Sequence, residues 1–254
     1  MSYGHPGHTD QSGGAVLRRS LELVLARLEL ALESSGRARD AACLVAVSKW
    51  HGPSQILLAA EHWRKLGGRP VFGENYVQEA LAKQAALTEG DPARQCLMDW
   101  HFTGRAQSNK ARFLAGRFGL IHTLDSLTLA RNLQRCLEKS SHRQKALVQV
   151  NIGREKTKAG VEPGELEPFM RALRDFNRID ILGLMCMPPY AEEAEAGRPY
   201  FIRLRQMRDR MEELLGIKLP HLSMGMSHDF EIAVAEGATL VRVGTDIFGP
   251  RPPA

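Results

Sequence analysis

A lysine at the end of an apolar segment is the first residue of this sequence that could do chemistry. The run LVAVSKW (residues 44–50) is apolar and rich in β-branched residues, and it finishes with Lys49 and a tryptophan. A lysine at the end of a core strand ordinarily extends its stem toward solvent. Partial desolvation instead lowers the pKa of a lysine amine and makes it a nucleophile toward carbonyl carbons. The segment therefore leaves open a surface lysine or a Schiff-base lysine.

Two short segments near the end of the sequence offer groups that suit an anion. The segment SMGMS carries the hydroxyls of Ser223 and Ser227 on either side of a glycine that allows close approach of the backbone. The segment VGT offers the backbone N–H groups of Gly244 and Thr245 together with a hydroxyl. Backbone amides at the start of a helix favour a phosphate or carboxylate. The alternative for Ser227 is a simple N-cap of the following helix, and the two roles can coexist.

Arg242 is the third residue with evident chemistry. It alternates with Val241 and Val243, so its side chain points inward if theirs point outward. A buried arginine needs a partner, and a carboxylate such as Glu74 or Asp246, or a ring nitrogen, would serve. An amine that reacts with aldehydes, an anion-binding segment and a cationic donor are the three protein groups that would bind pyridoxal 5′-phosphate (PLP). Each is weak alone, but together they favour a PLP site.

Eight short apolar segments, alternating with segments of helical period, must position these residues. They predict strands at residues 43–49, 70–74, 100–104, 120–125, 146–152, 181–187, 221–226 and 239–245. Continuous apolar strands between helices imply parallel pairing, and eight of them predict a single (β/α)8 TIM barrel in the α/β class. A doubly wound open sheet is less favoured, because no Gly-rich dinucleotide turn follows the first strand.

The N-terminal region predicts an extra helix. Apolar residues from Leu17 to Leu32 recur at helical spacing and predict a helix over about residues 15–35. Only nine residues follow the last predicted strand, too few for an eighth helix, so we expect the N-terminal helix to fill that gap in the outer ring. Residues 1–14 are polar and Gly-rich, which predicts a disordered tail before one domain over residues 15–254.

The C-terminal ends of the strands are where such barrels carry their active sites. The polar residues at or near these ends include Lys49, Asn75, His101, Ser223, Ser227, Arg242, Gly244 and Thr245. Strand ends are also polar simply because loops are polar, which explains part of this pattern. We nevertheless expect these residues to share one site.

Composition and charge limit the classes of protein. The net charge of +5 arises from 34 basic and 29 acidic residues that are scattered along the chain, so it gives an RNA-binding function little support. The four cysteines are far apart, lack metal-ligand spacing, and favour a reducing compartment. No segment is apolar for long enough to span a bilayer, and the N-terminus lacks the apolar region of a signal peptide. We therefore expect a cytoplasmic protein with no metal, membrane or nucleic-acid partner.

Several motifs of the chain resemble those of the pyridoxal phosphate homeostasis protein family. They are AVSKW, FGENYVQEA, WHFTGRAQSNK, VQVNIGREKTKAGV, LGLMCMPP and LSMGMSHDFEIAVAEGATLVRVGTDIFGPR. The resemblance runs from about residue 15 to 251 and implies the barrel of the N-terminal domain of alanine racemase. Two departures, Trp50 after the lysine and His228, lie outside the expected cofactor contacts.

The resemblance also implies roles for individual residues. Lys49 would form the internal aldimine with PLP, and Arg242 would face the pyridine nitrogen. Ser223 or Ser227, with Gly244 and Thr245, would hold the phosphate. Asn75 and His101 match motif positions that line the cofactor pocket.

A role in binding, storing or delivering PLP follows, with effects on vitamin B6 balance and little or no catalysis. Racemisation needs an acid or base on each face of the substrate, and Lys49 supplies one of them. An arginine opposite the ring nitrogen leaves that nitrogen unprotonated, which makes PLP a poorer electron sink. PLP-dependent apo-enzymes are the expected recipients, and a monomer is favoured over a dimer. The alternative is a PLP-dependent amino-acid racemase completed by a second copy of the chain.

Overall fold

Eight parallel strands close into a barrel in chain order, with β1 paired to β8. The computed structural model describes residues 11–250, apart from residues 90, 139 and 156. The predicted (β/α)8 barrel is confirmed, and each predicted segment overlaps one strand. The strands are β1 (Cys43–Val47), β2 (Val71–Glu74), β3 (Asp99–Phe102), β4 (Leu120–Leu124), β5 (Gln144–Val150), β6 (Ile179–Cys186), β7 (His221–Met226) and β8 (Leu240–Val243).

Helices cover the outside of the barrel. They are α1 (Gln11–Ser34), α2 (Pro53–Lys65), α3 (Val77–Thr88), α4 (Ala111–Leu114), α5 (Leu127–Leu137), α6 (Leu166–Leu173), α7 (Arg198–Leu215), α8 (Phe230–Ala235) and α9 (Thr245–Phe248). Ser126 caps α5 by accepting a hydrogen bond from the Leu129 amide at 3.2 Å. Gly216 ends α7 in the left-handed conformation, with φ of +61°, as a C-cap glycine does.

The strands are mainly apolar because most residues on both of their faces are buried. In β1, Val45 points into the barrel, whereas Leu44 and Ala46 pack against the helices. The inner core consists of Val45, Val71, Leu120, Leu147, Met185 and Leu240. The larger core lies between the strands and the helices, so each strand buries alternate residues on opposite sides.

Helix α1 packs beside α2, α8 and α9, the position expected for the missing member of the helical ring. It begins at Gln11, so the prediction of a disordered tail is wrong for residues 11–14. An existing helix extends by a further turn without a new nucleation step. A Cβ atom at Gly14 would lie 3.2 Å from Leu58 Cδ2, so this first turn already rests on α2. Residues 1–10 of the predicted tail lie outside the described residues.

The described residues contain neither a helix suited to span a membrane nor a cluster suited to bind a metal. Among the described helices, none combines the length and the apolar character that crossing a bilayer requires. Within the same residues, no cluster of His, Cys, Asp and Glu has the arrangement of a metal site.

Candidate functional site

Lys49 lies in the turn that follows β1, which we call the Lys49 turn (residues 48–51). Its side chain is half-buried, and Nζ lies 5.7 Å from the centre of the Trp50 ring. Trp50 has a φ of +67°, a left-handed conformation that costs a non-glycine residue about 1–3 kcal/mol. The Trp50 ring stacks on Tyr76 with centroids 5.8 Å apart. A strained residue beside Lys49 persists only where neighbouring groups hold it.

Helix α3 supplies the groups that hold the Lys49 turn. Lys83 Nζ donates to the Ser48 carbonyl at 2.8 Å and forms ion pairs with Glu74 at 2.8 Å and Glu79 at 2.6 Å. Ser48 Oγ donates to Glu74 at 2.7 Å, and the Trp50 amide donates to Glu79. Burial raises the pKa of the Glu74 carboxyl, and the hydrogen bonds from Lys83 and Ser48 oppose that rise. The backbone on both sides of Lys49 is therefore tied to one buried charge cluster.

A hydrogen-bonded chain crosses the barrel interior beneath the site. Arg242 donates to Ser223 Oγ at 2.6 Å and to the Cys186 carbonyl at 3.0 Å. His122 Nδ1 lies 2.8 Å from Ser223 Oγ, and His122 Nε2 lies 3.0 Å from His101 Nδ1. We call these four side chains, Arg242, Ser223, His122 and His101, the interior chain.

The protonation of the interior chain follows from its burial. Burial lowers the pKa of His101 to about 3 and lowers that of His122 well below its usual value, so both rings are neutral near pH 7. Arg242 can only donate, so the Ser223 oxygen accepts from it and the Ser223 hydrogen points to His122. His122 then donates from Nε2 to His101. Each hydrogen bond in the chain therefore has one direction.

Neither of the two candidate carboxylates, Glu74 and Asp246, is a hydrogen-bond partner of Arg242. Glu74 points outward from β2, opposite to Gly73, and is taken by Lys83 and Ser48. Asp246 lies in α9 outside the barrel and pairs with Arg27 of α1 at 2.6 Å. Among the described contacts, the hydrogen-bond partners of Arg242 are instead a hydroxyl and a carbonyl, while the negative charge of Asp229 acts on it without a hydrogen bond. Burial accordingly lowers the pKa of Arg242.

The loops after β7 and β8 carry Ser227, Gly244 and Thr245. Ser227 is half-buried, and its hydroxyl is not the N-cap of α8, because that helix begins after Asp229. A Cβ atom at Gly244 would lie 3.1 Å from the Val47 carbonyl, so the loop after β8 runs close to the end of β1. Gly244 therefore lies next to the start of the Lys49 turn.

Gly225 shapes the loop after β7. Its φ is +88°, and a Cβ atom there would lie 2.6 Å from Ala233 Cβ. Only glycine fits both the backbone conformation and the space. The loop that carries Ser227 can therefore lie directly on α8.

Asn75 follows β2 and is held by the neighbouring strand. Its Oδ1 accepts a hydrogen bond from Thr103 Oγ1 at 2.8 Å. A Cβ atom at Gly104 would lie 2.0 Å from the Asn75 carbonyl, so the two backbones are in direct contact. Asn75 is half-buried at the barrel mouth. His101 lies deeper, inside β3, and the charges that act on it come from His221, Arg69 and Lys145 near the amino ends of strands.

A cavity of about 390 Å³ opens across the rest of the mouth. Its walls come from the ends of β3 to β7, so it covers the side away from β1 and β8. Thr103, Thr123 and Gln149 line it near the strands, and Arg105 and Lys158 bring positive charge. Its volume is within the range of small-molecule sites. Tyr190 on its rim is 85% exposed, so the mouth is open to solvent on this side.

Comparison with known proteins identifies the family. A family model described as the alanine racemase N-terminal domain matches residues 31–252. The pyridoxal phosphate homeostasis proteins of Aquifex aeolicus and Escherichia coli are 44% and 36% identical to the chain. These alignments cover 91% and 92% of the chain, and 96% and 97% of the two relatives. The chain belongs to the pyridoxal phosphate homeostasis protein family. The resemblance seen in the motifs is confirmed.

Solved structures agree with this family and fold. PipY of Synechococcus elongatus, a structure with PLP bound, is 35% identical, with a TM-score of 0.74 over 87% of this chain and 100% of PipY. An alanine racemase of Clostridium difficile is 15% identical, with a TM-score of 0.67. That match covers 92% of this chain but 60% of the racemase, and it shows a shared fold alone.

Sequence reasoning missed three contributors to the site, which are His122, Lys83 and Arg27. For His122 a signal existed, since it shares the inward parity of Leu120 in β4. The i,i+4 spacing of Glu79 and Lys83 could have indicated their pair, but Glu74 and the partners of Arg27 lie on other elements of the fold. The motifs therefore identify the pyridoxal phosphate homeostasis protein family but do not reveal which other residues hold the site in place.

Proposed function

We propose that the chain binds PLP through Lys49 and holds and releases it in vitamin B6 homeostasis, without turning over amino acids. The observation that carries the proposal is the meeting of three features at one barrel mouth. The Lys49 turn adjoins the loop of Gly244 and Thr245, and the buried Arg242 lies in the strand before that loop. The names of the Aquifex aeolicus and Escherichia coli relatives, and the PLP-bound PipY structure, support it.

The residues at the mouth fit PLP by their donor chemistry. The Lys49 amine suits the aldehyde carbon, and the Arg242 guanidinium is a donor that suits the ring nitrogen. The Ser227 hydroxyl and the backbone of Gly244 and Thr245 suit the phosphate, and Asn75 completes the rim. Gly225 and Gly244 keep the loops close to the barrel where a Cβ atom would crowd them. PLP, when bound, supplies an electron sink for amines.

Ser223 and His101 act indirectly in this proposal. The Ser223 hydroxyl is occupied by Arg242 and His122 inside the barrel, so we assign the phosphate contact to Ser227. His101 reaches Arg242 only through His122 and Ser223. Both residues would then hold the guanidinium so that it could donate to the ring nitrogen of bound PLP.

Two features support a carrier over an enzyme. A guanidinium has no acceptor, so a ring nitrogen that faces Arg242 is unprotonated and PLP becomes a weaker electron sink. The mouth is open at Tyr190, and an open site does not exclude water from reactive intermediates. PLP-dependent apo-enzymes remain the predicted recipients, and a cytoplasmic monomer remains a prediction.

Visible absorbance before and after borohydride tests the binding. We expect wild-type protein to be yellow, to bleach on reduction and to keep the cofactor through denaturation, because reduction fixes it to a lysine. The Lys49→Ala variant should retain no cofactor through denaturation, whereas Lys145→Ala, a lysine near the amino end of β5, should behave like wild type. A wild type that takes up no added PLP would end the proposal.

Turnover distinguishes the carrier from the racemase. PLP-loaded protein is incubated with L-alanine or D-alanine, and the enantiomers are measured over time. We expect no conversion above that of free PLP at the same concentration. Conversion well above this background, abolished by Lys49→Ala, would favour the racemase alternative.

A further inference from the structure

Arg27 of α1 ties the loops after β7 and β8 together from outside the barrel. Its Nε lies 2.7 Å from Glu231 Oε1 in α8, and its Nη1 lies 2.6 Å from Asp246 Oδ2 in α9. Its Nη2 donates to the Ser227 carbonyl at 3.3 Å. The guanidinium also lies 4.7 Å from the centre of the Phe230 ring. One side chain therefore contacts both loops that the proposed function assigns to the phosphate.

The charges around these loops explain why such a contact matters. Glu231 and Asp246 lie in the first turns of α8 and α9, directly after the loops of Ser227 and of Gly244 and Thr245. Two carboxylates at these positions would repel a phosphate dianion. Arg27 binds both of them and donates to the backbone of Ser227 as well. Its positive charge offsets the acidic character of the first turns.

The contribution of Arg27 to folding is expected to be small by comparison. The side chains of Arg27, Glu231 and Asp246 are 40%, 38% and 30% exposed, so solvent screens these ion pairs. Repulsion of an anion, in contrast, acts only when the anion is present. Loss of Arg27 should therefore change the affinity for a phosphate group more than it changes the free energy of unfolding.

We propose that Arg27 is a positioning residue that sets the preference of the site for the phosphorylated form of vitamin B6. It aligns the two loops and offsets one of the two negative charges that flank them. This inference depends on the proposed function, in which Ser227, Gly244 and Thr245 hold the phosphate. It predicts that loss of Arg27 weakens binding of PLP but spares binding of pyridoxal, which has the same aldehyde and ring without the phosphate.

Absorbance titrations of apo-protein with PLP and with pyridoxal test the inference. The variants are Arg27→Met and the triple variant Arg27→Met, Glu231→Gln, Asp246→Asn. Arg39→Met is the matched control, since Arg39 pairs with Glu29 and is 87% exposed. We expect Arg27→Met to lower the affinity for PLP on the order of tenfold at low salt and by less at high salt. The affinity for pyridoxal should stay within about twofold of wild type. The triple variant should recover most of the PLP affinity, because it removes the repelling charges.

The outcomes separate this inference from the proposed function. A wild type that binds neither ligand overturns both. A wild type that binds PLP, beside an Arg27→Met variant with an unchanged ratio of PLP to pyridoxal affinity, overturns this inference alone. An equal loss for both ligands also overturns it, because it would show a general loosening of the site. If Arg27→Met does not fold by circular dichroism, Arg27→Lys gives the same test, with a smaller expected loss because one ammonium replaces the two-sided guanidinium.

Discussion

Replacement of Lys83 by methionine should destabilise the protein by leaving Glu74 buried without a cation. The side chains of Lys83 and Glu74 are 7% and 0% exposed, and their charged atoms are 2.8 Å apart. Glu74 Oε2 already has no hydrogen-bond partner among the described residues, so the carboxylate depends on its other oxygen. Breaking a buried ion pair costs about 3–5 kcal/mol, and we expect the lower end because Glu74 can take up a proton. For a domain of this size that corresponds to a fall in Tm of roughly 6–12 °C.

The loss of stability in the Lys83→Met variant should depend on pH. Burial raises the pKa of Glu74 above its unfolded value, and the Lys83 hydrogen bond opposes that rise. Without Lys83 the folded-state pKa should rise further. A carboxyl whose pKa is raised in the folded state contributes stability at low pH and loses it as pH rises through that pKa. The deficit of the Lys83→Met variant should therefore grow between pH 5 and pH 8.

Urea unfolding of the apo-protein, followed by circular dichroism at several pH values, measures the effect. The double variant Glu74→Gln, Lys83→Met removes both charges and should recover at least half of the loss. Arg171→Met breaks an exposed pair with Glu167 and should change stability by less than about 0.5 kcal/mol. A Lys83→Met loss below about 1 kcal/mol, a deficit that does not change with pH, or a double variant no more stable than the single one would refute the reasoning.

Three further predictions concern the interior chain and the loop after β7. Ser223→Ala should destabilise the apo-protein by about 2–4 kcal/mol in urea unfolding, because it leaves Arg242 and His122 without a shared partner in the barrel. The free energy of unfolding should decrease as the pH is lowered below about 6.5. Burial lowers the pKa of His101 to about 3 and that of His122 well below its usual value, so the unfolded chain binds more protons than the folded protein in this range. The slope in unfolding experiments between pH 7 and 5 should be smaller in His122→Gln, and an unchanged slope would contradict this account. Gly225→Ala should lower the free energy of unfolding by about 2–3 kcal/mol and weaken the binding of PLP. Gly36 has a φ of +65° and open space around it, so Gly36→Ala should lower the free energy of unfolding by about 1 kcal/mol and leave PLP binding unchanged.

The barrel could be predicted because its evidence is local. Each strand is a short apolar run, and the alternation with helical segments implies parallel pairing. The position of Lys49 and of Gly244 and Thr245 near one another also follows, since the carboxyl ends of the strands share one face of the barrel. The start of α1 could not be predicted, because the polar and Gly-rich residues 11–14 carry little helical signal of their own.

The partners of Arg242 could not be predicted from the sequence. Its alternation with Val241 indicated an inward side chain, but which residues it meets depends on the tilt and stagger of the closed barrel. That geometry brings Ser223 and Cys186 to it, while parity directs Glu74 outward. Alternation along β4 does indicate that His122 points inward, but its contact with Ser223 of β7 depends on the same barrel geometry.

The bridge made by Arg27 has a consequence for synthesis of the chain. Arg27 and Asp246 are 219 residues apart in sequence, and β1 must also wait for β8 to close the barrel. Contacts between such distant residues form late, since the intervening loop must first be closed. On the ribosome, α1 is made well before α8 and α9, which carry its partners in this bridge. This end of the barrel is therefore complete only after α9 has been synthesised, so binding of PLP to a nascent chain would report that the whole barrel has formed.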